Sequence, residues 1–351
     1  MTLVQRHLLL ALFFLAFAWI APYAHAQSDT FFVTPDPDAT VSLTMTPKSP
    51  APGDTVRLSV VGGSRVDLQG SMITWYQNGK NISKGVGVTS IDIKAGVLGT
   101  KLDIGVQVDS PDGGSAASSL SIIPTHIDLL VDSDSYTPPF YRGRALPSAG
   151  TQMRMQALVY FKRTDGSFVP PSSIVYTWRE NGQIIGKVSG KGRQTVTLPS
   201  PVLYGTSVIT VDAVSNDGSF SGSASMRISS IEPVLALYEN HPLFGLMYHQ
   251  AMGAKTSIPD SETTFAAVPY FADIKNPNDS RLRYIWTVNG ESVSASTERP
   301  SEFTINADKS NGEASISLSL THSGNVFMNP KGTWDVTFKT FEQPTPFSSS
   351  F

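Results

Sequence analysis

Apolar and polar residues alternate with a period of two over much of this chain. Val41-Ser42-Leu43-Thr44-Met45, Val56-Arg57-Leu58-Ser59-Val60 and the stretch 101–108 each put every second residue on one face. That is the pattern of a half-buried strand. The alternation returns at 127–131, 152–160, 195–198, 207–214 and 223–228, then at 264–271, 303–305, 314–321 and 333–338. Turn clusters punctuate it, among them Pro47-Lys48-Ser49-Pro50-Ala51-Pro52-Gly53-Asp54, Ser110-Pro111-Asp112-Gly113-Gly114 and Ser215-Asn216-Asp217-Gly218. No stretch keeps a 3.6-residue period, so helix content is expected to be low. Short strands at short spacing with Gly/Pro/Asn turns describe all-β antiparallel sandwiches.

One local pattern occurs three times. Ile73-Thr74-Trp75-Tyr76-Gln77-Asn78-Gly79 is followed by Tyr176-Thr177-Trp178-Arg179-Glu180-Asn181-Gly182 and by Tyr284-Ile285-Trp286-Thr287-Val288-Asn289-Gly290. The period is about a hundred residues, the size of one small sandwich. The order of strands around the motif repeats as well. The chain therefore divides into repeats at 38–124, 125–230 and 231–340, with a polar tail at 341–351. The links Pro124-Thr125 and Ser230-Ile231-Glu232-Pro233 are very short. Such joints imply an extended, semi-rigid rod on the order of 100 Å.

Strand alternation turns Trp75 inward together with Ile73, while Thr74 and Tyr76 point out. A buried Trp removes on the order of 150–250 Å² from water, so Trp75, Trp178 and Trp286 are expected to be the main pegs of their cores. Asn-Gly favours positive φ at both turn positions and suits a type I′ hairpin. The motif thus reads as a central strand ending in a tight turn, which is architecture and not a ligand site.

The first 26 residues have the form of a cleaved signal peptide. Arg6 and His7 precede an apolar run from Leu8 to Ile20, and Ala24-His25-Ala26 is a small-x-small cleavage signature. An uncleaved anchor is the alternative, but the run is shorter than the roughly 20 residues of a spanning helix. Residues 27–37 form a polar, Pro-containing leader, expected to be flexible. Nothing later is long and apolar enough to suggest a stable membrane span.

Composition narrows the function classes. There is no cysteine, so an exported chain would be held by its cores alone and thiol catalysis is excluded. The net charge of −3 and the absence of a basic run argue against nucleic acid. No nucleophile-elbow, zinc-protease or phosphate-cradling motif is present. A Ser-His-Asp set using His126, His241, His249 or His322 has no feature in its favour, and no enzyme activity or cofactor is expected.

Trp-x-x-Asn-Gly on a central strand, followed by an alternating Val-rich strand and an Asp-Gly turn, resembles the immunoglobulin-like and PKD-like modules of bacterial surface proteins. The likeness covers all three repeats. Tyr136-Thr137-Pro138-Pro139-Phe140-Tyr141-Arg142-Gly143 and Tyr238-Glu239-Asn240-His241-Pro242-Leu243-Phe244-Gly245 further resemble exported tandem-domain proteins of Patescibacteria-type bacteria. The resemblance implies three tandem sandwiches after a cleaved signal peptide, at the cell surface or in the periplasm. It also implies a non-enzymatic role as spacer or adhesion module, with a pilus or another envelope protein as partner.

The last two segments carry the candidate contact residues. Both lie between the first and second strands of their repeats, where repeat 1 has only a turn. Phe140 and Tyr141 belong to one; Pro242, Leu243, Phe244, Leu246, Met247 and Tyr248 belong to the other. Exposed apolar and Met-rich loops mark interaction sites; the competing reading packs these loops on their own sandwich or a neighbour. A carbohydrate-binding role would use Tyr141, Tyr248 or Trp334 as stacking platforms. His241 and His249 have no ligand spacing that fits a metal, and Asp128, Asp132 and Asp134 at the first junction lack a Ca²⁺-loop pattern.

Overall fold

The computed structural model describes residues 40–259, 262–307 and 312–338. The expected signal peptide, leader and tail lie outside the described residues. Within them no α-helix occurs, and one 3₁₀ turn sits at Pro171–Ser173. Apolar side chains gather into three separate cores, within Val41–Ile122, Ile127–Ile228 and Leu235–Phe338. The chain is three immunoglobulin-like sandwiches in tandem.

Unit 1 contains β1 (Val41–Thr46), β2 (Thr55–Gly62), β3 (Met72–Gln77), β4 (Lys80–Val86), β5 (Ser90–Lys94), β6 (Leu102–Asp109) and β7 (Ser115–Ile122). One sheet has the order β1-β2-β5 and the other β4-β3-β6-β7. Val56, Leu58 and Val60 of β2 meet Ile73 and Trp75 of β3 and Ile104, Val106 and Val108 of β6 in one core. These are the alternate positions that the period of two assigns to the interior.

Unit 2 repeats the plan with β8 (His126–Ser133), β9 (Gln152–Tyr160), β10 (Ile174–Glu180), β11 (Gln183–Ile184), β12 (Gly190–Lys191), β13 (Thr195–Pro199), β14 (Thr206–Ser215) and β15 (Ser221–Ser229). Its sheets are β13-β9-β8 and β11-β10-β14-β15, with β12 also on β10. Unit 3 comprises β16 (Val234–His241), β17 (Gly245–Ala251), β18 (Lys255–Ile258), β19 (Glu262–Tyr270), β20 (Leu282–Val288), β21 (Glu291–Val293), β22 (Glu302–Asn306), β23 (Gly312–His322) and β24 (Lys331–Phe338). Its sheets are β17-β16-β19-β22 and β18-β24-β23-β20-β21.

The three Trp side chains are at most 1% exposed. Each indole N–H crosses to a backbone carbonyl: Trp75 to Val88 (2.9 Å), Trp178 to Arg193 (2.8 Å) and Trp286 to Pro300 (3.1 Å). Each acceptor stands two residues ahead of the strand that pairs with β2, β9 or β19. The next carbonyl in every case, Thr89, Gln194 or Ser301, accepts the N–H of Val60, Ala157 or Ala267. The ring therefore fills the core and also ties the sheet it grows from to the opposite one.

The Asn-Gly pairs have the two positive φ values of a type I′ turn: 51° and 77°, 50° and 84°, 52° and 85°. Each Asn also grips the neighbouring strand at two points. Asn78 donates its N–H to Asp103 O and accepts the Asp103 N–H on Oδ1 (2.7 and 2.9 Å). Asn181 does the same with Val208, and Asn289 with Ser315. Asn suits the position twice over, by tolerating left-handed φ and by supplying this clamp.

The structure adds strands the alternation does not show. β4, β11, β12 and β21 follow the Asn-Gly turns at sheet edges, where both faces are largely solvated and the period of two is lost. β18 joins β24 in parallel, the exception to otherwise antiparallel ladders among the named strands.

Trp178→Ala is expected to unfold unit 2, since losing a buried Trp costs about 3–5 kcal/mol. Trp178→Phe keeps most of the apolar contact but orphans the Arg193 carbonyl, and is expected to cost about 1–3 kcal/mol. Urea unfolding followed by circular dichroism measures both; equal midpoints for Trp178→Phe and wild type would contradict the tie.

Candidate functional site

The two segments singled out by sequence lead to different places. In unit 2 the chain between β8 and β9 reaches across to unit 3. Tyr136 N–H donates to Ala272 O (2.8 Å), and Phe271 N–H donates back to Tyr136 O (2.6 Å). The Ser148 hydroxyl donates to Phe271 O, and Ile231 N–H donates to Pro147 O. From the other side Asn325 Nδ2 donates to Ala149 O (2.7 Å) and lies 3.4 Å from Asp273 Oδ2. Gly150 sits at φ +94°, and a Cβ there would lie 2.3 Å from Asn325 Nδ2. A side chain at this position is thus refused by both backbone and space.

Tyr141 belongs to this joint. Its ring meets Tyr270 and Phe271 edge-on, with centroids 5.6 and 5.8 Å away. Tyr238 and Tyr270 share a hydroxyl–hydroxyl bond of 2.6 Å, and Tyr248 leans on Tyr238 at 5.6 Å. These rings cover the outer side of the β16–β19 pair, whose Ala266 and Val268 are buried although Phe265 and Ala267 already fill the core face. Burial pushes the Tyr136 hydroxyl up to about 12, with Tyr248 and Tyr270 adding to the effect. Burial raises Tyr270 as well, helped by its bond to Tyr238. Phe140, next to Tyr141, is 89% exposed.

In unit 3 the expected loop is a hairpin: β16 and β17 pair from His241↔Gly245 onward, with a register shift beyond Asn240. Leu235 and Leu237 bury the inner side of β16. At the turn, His241 Nδ1 accepts the N–H groups of Leu243 (3.1 Å) and Phe244 (3.3 Å), and its ring lies 4.7 Å from the Phe244 ring. Gly245 completes the turn at φ +70°. The result is a fixed tip on which Leu243 is 83% and Phe244 74% exposed. Pro242 is exposed; Leu246, Met247 and Tyr248 are half-buried along β17. The tip and the Phe140 loop lie toward opposite ends of the same sheet, so of the candidate contact residues Tyr141 and Tyr248 share one ring cluster, while Leu243 and Phe244 stand apart from Phe140.

Beneath the tip is a cleft of about 930 Å³ across the outer face of β16, β19 and β22. Its charged lining is Glu239, Glu262 and Glu302 with Arg299. Arg299 stands 3.6 Å from Glu302, which also accepts from Asn240 Nδ2 (3.1 Å). Asn306 Nδ2 donates to Glu262 (3.2 Å). Sequence reading missed this floor because its members come from three strands far apart in the chain. The one available signal was the outward parity of Glu262 and Glu302; Glu239 has the parity of Leu235 and Leu237 and reaches the cleft only at the strand end.

The other sequence candidates are placed as follows. Trp334 is 6% exposed in the unit 3 core, and Gly332 leaves room for its ring. Tyr248 is half-buried against Tyr238, and Tyr141, 38% exposed, meets Tyr270 and Phe271 edge-on, so the three residues named for sugar stacking do not form one exposed row. Asp128 pairs with His126 (2.9 Å), Asp132 accepts the Ser133 N–H and Asp134 that of Gln152, so the three carboxylates do not converge. No helix among the described residues is long and apolar enough to cross a membrane.

No family model matches the sequence, and no curated protein matches it. Among solved structures, the chain is similar to three N-terminal domains of the highly immunogenic outer capsid protein of bacteriophage RB49. The identity is 13%, covering 86% of this chain and 99% of that one, with a TM-score of 0.24. It is similar to the central fibronectin-III array of RIM-binding protein at 12% identity, 85% and 96% coverage and a TM-score of 0.30. Immunoglobulin domains 1–4 of Sidekick-1 give 12% identity, 85% and 74% coverage and a TM-score of 0.21. No function is carried across from these likenesses.

Two outcomes follow for the joint. Gly150→Ala is expected to destabilise units 2 and 3 together by about 1–3 kcal/mol, the scale of a strained residue, and differential scanning calorimetry checks it. Alkali is expected to loosen the joint. A Tyr136 hydroxyl raised in the fold is protonated in both states below its ordinary 10.0, so stability is full there and falls as pH rises from 10 to about 12. Unfolding midpoints across that range, compared with Tyr136→Phe, measure the effect; a slope unchanged by the substitution would contradict it.

Proposed function

We propose that this chain is an exported, non-enzymatic protein of the bacterial cell surface or envelope, acting as a structural spacer that carries a protein-interaction module. The observation that carries the reading is the β16–β17 tip. Two large apolar residues stand in solvent on a turn that His241 holds rigid, directly above a cleft lined by charged groups. Exposed apolar residues rimmed by polar ones are the usual form of a protein contact. Tandem sandwiches joined by short links suit a spacer, and the interlocked joint between units 2 and 3 gives the tip a fixed bearing.

The export signal at 1–26, the PKD-like character of the units and the envelope or pilus location of the partner belong to this proposal. The partner is another envelope or pilus protein bound through Leu243 and Phe244. No observation favours a carbohydrate ligand over it.

Replacing Leu243 and Phe244 together by Ser tests the reading. Both side chains are in solvent, so the melting temperature is expected to stay within a degree or two of wild type. Capture of the envelope partner is expected to fall on the order of tenfold or more. Quantitative pull-down from the producing cell's envelope measures it, and undiminished capture by the folded variant would refute the contact.

A further inference from the structure

Two separate surfaces of this chain match in charge and in apolar character. One is the cleft of unit 3. Glu239, Glu262 and Glu302 against Arg299 leave two net negative charges, and the Glu239 carboxylate has no ion-pair or hydrogen-bond partner among the described residues. Leu243 lines its edge, and Phe244 is exposed on the same turn.

The other is the unit 2 loop around Phe140. Arg142 and Arg144 are exposed there and pair with no carboxylate among the described residues. No acidic residue lies between Thr137 and Pro147, so the loop carries two net positive charges. Phe140 stands beside them, 89% exposed at φ +68°, a backbone state that bulky residues rarely occupy. The state is that of the third position of a turn closed by the Tyr141 N–H on Pro138 O, with Pro139 at the second position, and the turn holds the Phe140 ring out in solvent.

The loop cannot fill the cleft of its own chain. Tyr141 fixes it against Tyr270, at one end of β19. The cleft's far carboxylate, Glu262, is eight residues away along the same strand, while Glu302 and Glu239 stand opposite Ala266 and Phe265, four and five residues away. At about 3.3 Å per residue the cleft extends from roughly 13 to 26 Å from the anchor. A loop anchored there does not span the cleft to Glu262, but the loop of another molecule can.

We propose that the unit 3 cleft of one copy receives the Phe140–Arg144 loop of a second copy. Arg142 and Arg144 meet Glu239 and Glu262, and Phe140 packs against Leu243 and Phe244. Guanidinium forks suit carboxylates in this role. Loop and cleft are different patches, so the contact is heterologous and leaves a free loop at one end and a free cleft at the other. Copies therefore join head to tail. This rests on the reading of the hairpin tip as a contact surface, and names a copy of the chain itself as an occupant.

Sedimentation velocity of the full chain over a concentration series tests the proposal. At low ionic strength the weight-average sedimentation coefficient is expected to rise with concentration. In about 1 M salt, where charges are screened beyond roughly 3 Å, the rise is expected to shrink. Arg142→Glu with Arg144→Glu is expected to weaken association at least tenfold, and so is Glu239→Lys with Glu262→Lys. Mixing the two variants in equal amounts is expected to restore it, because each loop then finds an opposite cleft.

A wild-type chain that stays monomeric throughout overturns the proposal, as does a mixture of folded variants that fails to associate. Association that survives the loop variant overturns it too, by placing the contact elsewhere. The hairpin reading fails separately. If Leu243→Ser with Phe244→Ser still captures its envelope partner, that reading falls whatever the sedimentation shows. If capture is lost while wild type remains monomeric, only self-docking falls.

Discussion

The fold depends on a Trp whose ring belongs to one sheet and whose N–H belongs to the other. A chain without cysteine has no covalent bond between its sheets, and immunoglobulin-like sandwiches often place one there. Here the same span is bridged by an indole, three times, with the acceptor always two residues ahead of the same strand. Leu or Phe at this site would contribute apolar area but would take the donor from a partly buried carbonyl, and a hydrogen bond of this kind contributes on the order of 1 kcal/mol. Trp meets both needs. The neighbouring Asn-Gly then fixes where the strand ends, and its amide oxygen sets the register of the next central strand.

The joints between units follow the same logic of paired polar groups. At the first joint Thr125, 4% exposed, donates its N–H to Pro50 O and its hydroxyl to Ser221 O. At the second, backbone of unit 2 pairs with backbone of unit 3 at Tyr136 and Ile231, and Asn325 closes the gap to Ala149. These contacts run through main-chain groups and short polar side chains, which have little rotamer freedom to lose. Tyrosine rings cover what remains apolar on the outside of the sheet. Units 2 and 3 thus share a seam with buried hydrogen bonds and a ring cluster, where a flexible linker would leave both faces open.

Much of the architecture was legible in the sequence, for definite reasons. Core strands such as β6 and β14 bury one face and solvate the other, so their alternation is strong. Trp75, Trp178 and Trp286 announced the core because they recur at one spacing beside Asn-Gly. The edge strands β4 and β21 were not legible, since neither face is fully buried and no pattern is imposed. The site was half legible. The apolar tip Leu243-Phe244 stood out against a Ser/Thr-rich chain, but whether it projected or folded back depended on His241 Nδ1, a contact no pattern encodes. For Tyr141 the sequence could not show that its ring also meets Tyr270 and Phe271 of the next unit. The carboxylates of the cleft were invisible, because only the pairing of β19 with β22 brings Glu262 and Glu302 to one outward face, and only the pairing of β16 with β19 sets Glu239 at the cleft's border.

The division of labour between the two faces of that sheet explains why a site can sit there at all. Leu235, Leu237, Phe265 and Phe303 point inward and are fixed by packing. The outward positions of the same strands are free of that constraint near the tip, and they carry charge instead of apolar bulk. Toward the other end the outward positions are Ala266 and Val268, and the tyrosines of the joint seal them. One sheet thus changes character along its length, from a sealed seam beside unit 2 to an open, charged cleft under the hairpin. The seam holds the cleft at a set position relative to unit 2, and the hairpin adds apolar surface where the cleft alone would offer only solvated carboxylates. Charge without that tip would be screened within a Debye length, and the tip without the charge would be an unspecific apolar patch. Their adjacency sets this end of unit 3 apart from the sealed seam at the other.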